Sequence, residues 1–132
     1  MVRKEEKELE RLHWELQEWK LQFHFMDDEL LFIHRLMDSN AFNPNTPNLF
    51  EKLQNYKLRV NAFTRTKNKL RKLMSKHEHL LGGELEDADH LSEKFKQHEL
   101  LKVKITNGIK EFQNLKIEIF NYTGSILLKH TT

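Results

Sequence analysis

Apolar residues recur every three or four positions along residues 9–37, and this regular spacing constrains the fold more than any other feature. The positions are Leu9, Leu12, Leu16, Trp19, Phe23, Met26, Leu30, Ile33 and Met37. Because side chains three and four apart lie on one face of an α-helix, the spacing predicts a single long helix with a continuous apolar seam. The rest of the chain must then provide the helices that cover this seam.

Helix 1 also carries large apolar side chains away from the seam. These five residues, called the outer stripe below, are Trp14, Leu21, Phe25, Phe32 and Leu36. At about 100° per residue they lie nearly opposite the seam, and a helix that is apolar on two sides needs partners on two sides. Either helix 3 wraps far enough to cover the outer stripe, or the stripe meets another molecule. Its length and its charged flanks favour a symmetric dimer through helix 1.

Two further segments repeat the same spacing and predict helices 2 and 3. The seam of helix 2 consists of Leu49, Leu53, Tyr56, Val60, Phe63, Lys67, Leu70, Met74, His77 and Leu81. The seam of helix 3 consists of Leu91, Lys94, His98, Leu101, Ile105, Gly108, Phe112, Leu115, Ile119, Tyr122 and Ile126. The latter seam passes through Asn107-Gly108 in phase, which favours one helix over two helices separated by a turn. The polar seam positions are interpreted as register markers or as flank positions whose heads reach water.

Turn-forming residues mark the boundaries of the elements. Helix 1 is predicted over about 4–38, a loop over 39–47, helix 2 over 47–81, helix 3 over 86–123 and a short tail over 124–132. Thr46 is expected to cap helix 2 with Pro47 at its first position, and Gly82-Gly83 to end it in the left-handed conformation. Helices of similar length with short connections predict one all-α domain over 1–132. The predicted architecture is an elongated, coiled-coil-like, antiparallel up-down-up three-helix bundle, which is expected to self-associate.

Charge is distributed unevenly along the chain. Residues 1–39 contain six Lys/Arg and ten Asp/Glu, a net charge of −4, whereas residues 48–81 contain nine and two, a net charge of +7. This contrast favours pairing of helices 1 and 2. The chain has no Cys, which excludes disulfides, thiolate catalysis and cysteine-based zinc sites. No apolar run approaches the ~20 residues that cross a bilayer, and the charged first ten residues do not resemble a secretory signal, so a cytoplasmic protein without membrane contact is expected.

Histidines and acids near one end of the predicted bundle form a candidate metal site. Glu10 and His13 have the Glu-x-x-His spacing that places both side chains on one helix face, and Asp87 and His90 repeat it with a shorter acid. Antiparallel folding about both connections brings His77 level with both pairs. Together these five residues form a set that suits a transition metal. Surface histidines and ordinary helix-terminal acids explain the same residues, and Glu10 and His13 lie on the flank of their seam.

Four basic residues follow one another along the outside of helix 2. They are Arg65, Lys69, Lys72 and Lys76, called the basic stripe below, with spacing four, three and four. Such a stripe suits a phosphate backbone or another anionic surface. A solvated face, or pairing with the acidic side of helix 1 in another subunit, explains it equally, and no aromatic residue interleaves with it.

No motif in the chain predicts catalysis, since it has neither a Gly-rich phosphate loop nor a nucleophile elbow. The expected function is therefore non-enzymatic. The patterns favour a helical bundle that acts through protein–protein interaction or scaffolding as a homo-oligomer, with a dimer preferred. A metal-binding bundle is the first alternative, and an accessory nucleic-acid-binding protein is the second. No cofactor is expected other than the transition metal of the first alternative.

Overall fold

The described part of the chain consists of three long helices. A computed structural model describes the backbone of residues 2–82 and 88–127 and the side chains of residues 4–82 and 91–127. Helix α1 covers Val2–Met37, α2 covers Leu49–Leu81 and α3 covers Ala88–Ile126. At 1.5 Å per residue each helix is about 50–58 Å long. The predicted all-α three-helix bundle is confirmed. No described helix contains a segment that is both long enough and apolar enough to span a membrane.

Ion pairs between the helices show that neighbours run in opposite directions. Lys57 near the start of α2 contacts Asp38 directly after α1, with 2.7 Å between Nζ and Oδ1. Lys20 in the middle of α1 contacts Glu78 near the end of α2 at 2.9 Å. Arg59 near the start of α2 forms a two-pronged pair with Glu118 near the end of α3, at 2.8 and 2.9 Å. The chain therefore runs up, down and up, as predicted.

The three seams form one continuous core. Eight of the nine α1 seam residues are buried, and Leu9 packs against the cluster from its edge. Midway along the bundle the rings of Phe63 and Phe112 stack with centroids 5.3 Å apart. Gly108 allows α2 and α3 to approach here, because a Cβ atom at this position would lie 2.7 Å from Cδ1 of Leu70. Helix α3 passes through Gly108 without a break, as its seam predicts.

The first connection differs from its prediction. Helix α2 begins at Leu49 rather than Pro47, and Asn48 is the cap residue, in the left-handed conformation with φ 59°. Thr46 provides no cap, because two successive turns use the preceding residues. The Asn45 N–H donates to Oδ1 of Asn43, and the Thr46 N–H donates to the Asn43 carbonyl. These turns hold Pro47 outside the helix.

The end of α3 also extends beyond its prediction. The helix continues through Gly124 to Ile126, where the Ile126 carbonyl accepts a hydrogen bond of 3.1 Å from the Asn43 N–H. Phe42 in the same loop is buried, with 6% of its surface exposed, although no periodic pattern marked it. Loop residues therefore close this end of the bundle and extend the core past the seams.

The second connection lies partly outside the described residues. Gly82 is the C-cap of α2, as predicted, but Gly82 itself has the right-handed conformation, with φ −75°. Its N–H donates to the Glu78 carbonyl at 3.0 Å and continues the helical pattern, which leaves no need for a left-handed cap at this residue. Gly83 and the predicted start of helix 3 at residue 86 are outside the described residues.

Candidate interaction surface between helices 1 and 3

Helix α3 does not cover the outer stripe. Trp14 is 63% exposed, and Leu21, Phe25 and Phe32 are 53%, 55% and 57% exposed. Leu36 alone is partly buried, near the loop end of the bundle. Of the two arrangements that the sequence allows, coverage of the stripe by helix 3 is therefore wrong, and the described residues leave most of this apolar surface open.

An aromatic residue of α3 extends the outer stripe onto a second helix. The ring of Phe120 meets the ring of Phe32 edge to face, with centroids 6.1 Å apart. Edge-to-face contacts are a favourable arrangement for aromatic pairs. Phe120 remains 36% exposed, so this contact joins the two helices without hiding either ring. The open surface thus belongs to both α1 and α3.

Two hollows lie between α1 and α3 along the same side. The first, about 190 Å³, has Phe25 on its α1 wall and Ile109 and Gln113 on its α3 wall. The second, about 330 Å³, has Trp14 on its α1 wall and Thr106 on its α3 wall. These helices approach each other less closely than either approaches α2. The resulting groove, together with the outer stripe and Phe120, is called the α1/α3 surface below.

Ion pairs cross the α1/α3 surface at two levels. Lys116 of α3 donates to Glu29 of α1 at 2.6 Å, and Lys102 of α3 donates to Glu15 of α1 at 3.0 Å. Each pair borders one of the hollows. Charged residues on α1 and α3 therefore alternate with exposed rings along the surface, which is typical of an interface with apolar anchors and polar surroundings.

A chain of hydrogen bonds joins the three helices beneath this surface. Nε2 of His77 lies 2.8 Å from Nδ1 of His98, and Nε2 of His98 lies 2.9 Å from Oε1 of Glu15. Because an ionised carboxylate only accepts, Nε2 of His98 carries the hydrogen of its bond to Glu15. The indole of Trp19 stacks on the His98 ring with centroids 4.7 Å apart. These contacts join α1, α2 and α3 at the height of Glu15, His77 and His98.

Burial, neighbouring charges and hydrogen bonds shift the pKa values of His77 and Glu15. Burial, together with the nearby His98 and His13, lowers the pKa of His77 to about 4, and burial is the largest of these causes. Burial acts to raise the pKa of Glu15, but hydrogen bonds from His98 and Lys102 outweigh it and leave that pKa below its usual value. At neutral pH, therefore, His77 is neutral and Glu15 is ionised.

The predicted metal residues are only partly described. Glu10 is exposed, His13 is partly buried and His77 is buried with its Nε2 bonded to His98. Asp87 and the side chain of His90 lie outside the described residues. Among the side chains of residues 4–82 and 91–127, no three His, Asp or Glu residues are grouped so that they suit a metal ion. A metal site that includes Asp87 and His90 stays a prediction.

The structure places all four residues of the basic stripe in solvent. Arg65, Lys69, Lys72 and Lys76 are exposed. Across the described side chains, none of these four cations forms an ion pair or a hydrogen bond through its charged group. The stripe is therefore a region of positive charge that the described residues do not neutralise.

The four polar seam residues, Lys67, His77, Lys94 and His98, are all buried, so the interpretation of them as flank positions whose heads reach water is wrong. Lys67 is buried and pairs with Asp27, whose other carboxylate oxygen accepts a bond of 2.8 Å from Arg71. His98 is fully buried between Trp19 and His77. Opposite charges at matching heights on antiparallel helices were the signal for the Lys67 pair. The signal for His98 was weaker, since Glu15 lies on a flank of α1.

Comparison with protein-family models, with curated proteins and with solved structures finds no significant match to this chain.

Proposed function

We propose that this protein is a non-enzymatic helical bundle that acts through protein–protein interaction and assembles with itself through the α1/α3 surface. One observation carries the proposal: Trp14, Leu21, Phe25 and Phe32 are each more than half exposed on the side of α1 away from the core. Burying a large apolar side chain contributes about 1.5–3 kcal/mol. Two copies that face each other across this surface recover that free energy for both chains.

The geometry of the stripe suits a symmetric pair. From Trp14 to Phe32 the exposed side chains follow one side of α1 for about 27 Å at 1.5 Å per residue. In a two-fold dimer the same surface contributes twice, so one stripe covers the other. A stable interface needs on the order of 800 Å² from each partner. Aromatic side chains offer at most about 150–250 Å² each, so the walls of the two hollows must contribute the remainder.

The proposal is tested by sedimentation velocity with matched pairs of substitutions. Wild-type protein at tens of micromolar is expected to sediment as a dimer. Phe25→Asp with Phe32→Asp places two charges in the proposed interface and is expected to give a folded monomer. The control is Leu58→Asp with Val103→Asp, because both residues are 59% exposed but lie on α2 and on α3 outside the α1/α3 surface.

Circular dichroism of each variant establishes that it is folded. A wild-type monomer at these concentrations contradicts the proposal, as does a dimer that dissociates equally in both double variants.

A further inference from the structure

A second groove lies on a different side of the bundle, between α2 and α3. Its floor and walls are mainly leucine, and its volume is about 240 Å³. The leucines are Leu73, Leu80, Leu100 and Leu101. Leu80 and Leu100 are 38% and 53% exposed. Pockets for drug-sized ligands are about 300–1,000 Å³, so this groove is suited to one or two inserted side chains rather than to a cofactor.

Lysines on both helices border the leucine groove. Lys76 of α2 and Lys104 of α3 line it directly, and both are exposed. Lys69 and Lys72 of the basic stripe continue the positive charge along α2. Within the described side chains, none of these four lysines has an ion-pair partner. Among the described side chains no acidic residue lines the groove, so the charged residues at its border are all positive.

From this combination we infer that the α2/α3 groove binds an acidic amphipathic helix of another protein. Leucine side chains of that helix enter the groove, and its Asp or Glu residues lie beside Lys76 and Lys104. Apolar anchors at helical spacing are the usual way in which a helix binds an apolar groove, and opposite charges on the rim select the partner and speed its approach.

Nucleic acid fits these observations less well. Proteins that bind single strands combine positive charge with aromatic side chains that stack on bases. The groove contains leucines in those places. Of its described lining residues only His77 has a ring, and this ring is buried and bonded to His98. A leucine floor can pack against the apolar side chains of a protein helix, whereas charged phosphates make no favourable contact with it.

The inference goes beyond self-association, because the α1/α3 surface and the α2/α3 groove share no lining residue. The probe is a fluorescent peptide of about 20 residues, long enough to form a helix in water, with leucines spaced three and four apart and glutamates beside them. Fluorescence anisotropy at physiological salt is expected to show saturable binding to the wild-type protein. Replacing the leucines of the peptide by serine is expected to abolish it.

Paired lysine substitutions locate the site. Lys76→Glu with Lys104→Glu is expected to weaken peptide binding by about tenfold or more, since it reverses both charges on the rim. The control is Lys96→Glu with Lys110→Glu, which changes the net charge equally at exposed positions of α3 outside the groove. This control is expected to change the affinity by less than about twofold.

Several results overturn the inference. Equal losses in the two lysine pairs, or equal binding of the serine peptide, show that net charge alone attracts the probe. A single-stranded oligonucleotide that binds more tightly than the peptide and displaces it assigns the groove to nucleic acid. Dissociation of the wild-type dimer by excess peptide, measured by sedimentation velocity, assigns the groove to an interface between two copies of this chain. Binding that survives Leu100→Asp with Leu80→Asp places the peptide elsewhere.

Discussion

Phe23 and Phe25 are two residues apart on helix α1, yet they have opposite environments. Phe23 is fully buried between the three helices, and Phe25 is 55% exposed beside the α1/α3 groove. The seam and the outer stripe thus have similar chemistry and similar periodicity. They differ in whether the same chain covers them. Apolar periodicity therefore identifies a surface that needs a partner, but the partner can be intramolecular or intermolecular.

The largest expected difference between the two faces is in stability. Phe23→Ala leaves a cavity in the core and is expected to lower the free energy of unfolding by about 3–5 kcal/mol. Phe25→Ala removes a side chain that water already reaches, and in a monomeric background it is expected to cost less than about 0.5 kcal/mol. Urea unfolding of both variants, each combined with Phe32→Asp to suppress association, measures the difference. Similar losses would show that the two faces are wrongly assigned.

A second difference between the faces appears on acidification, because the seam contains the buried His77. Its folded pKa, about 4, lies below the ordinary value of 6.5. Between these values the unfolded chain binds more protons, so stability is complete above pH 6.5 and falls as the pH decreases toward 4. The full shift corresponds to a loss on the order of 3 kcal/mol. Glu15, whose pKa is lowered from 4.5, adds a loss only below that value.

Urea unfolding between pH 7 and pH 4.5 measures this dependence. His77→Gln is the matched variant, since its amide can still form a hydrogen bond with Nδ1 of His98 but does not titrate. The variant is expected to have a flatter profile than the wild type. Identical slopes in both proteins would assign the acid sensitivity to other groups.

A smaller effect is expected where the seam includes an ion pair. Asp27→Ala leaves the buried ammonium of Lys67 without its carboxylate partner and is expected to cost about 1–3 kcal/mol, because Asp27 is itself partly exposed to solvent. The neighbouring Asp28 is exposed and lies outside the described ion pairs. Asp28→Ala is expected to change stability by less than about 0.5 kcal/mol. Thermal or urea unfolding compares the two, and equal effects would contradict a stabilising role for the pair.

The helices and the core were predictable because both follow from residue spacing. Each seam has a fixed phase, so the burial of residues such as Val60, Phe112 and Ile119 follows from the pattern alone. The seam of helix 3 keeps its phase through Gly108, and this predicted correctly that the helix is unbroken there. Because glycine has no Cβ atom, α2 and α3 can approach each other closely at Gly108.

The ends of the bundle and the open surface were less predictable, for a physical reason. Cap geometry depends on local turn bonds such as those of Asn43, and these bonds displaced the expected cap from Thr46 to Asn48. Phe42 joins the core through tertiary contact with the end of α3, which helical periodicity does not describe. The phase of Phe25 places it on the outside of α1, but the width of the α1/α3 groove follows only from how the three helices pack.

The emission of Trp14 is the most direct test that the outer stripe is an interface. The chain has two tryptophans, and Trp14 is 63% exposed whereas Trp19 is 7% exposed. Trp19→Phe therefore leaves one reporter, located on the stripe. On dilution from hundreds of micromolar to nanomolar concentration, the Trp14 emission maximum is expected to move to longer wavelength as the dimer dissociates and water reaches the indole. Emission typical of a solvated indole at every concentration, with no shift, would contradict self-association through this surface.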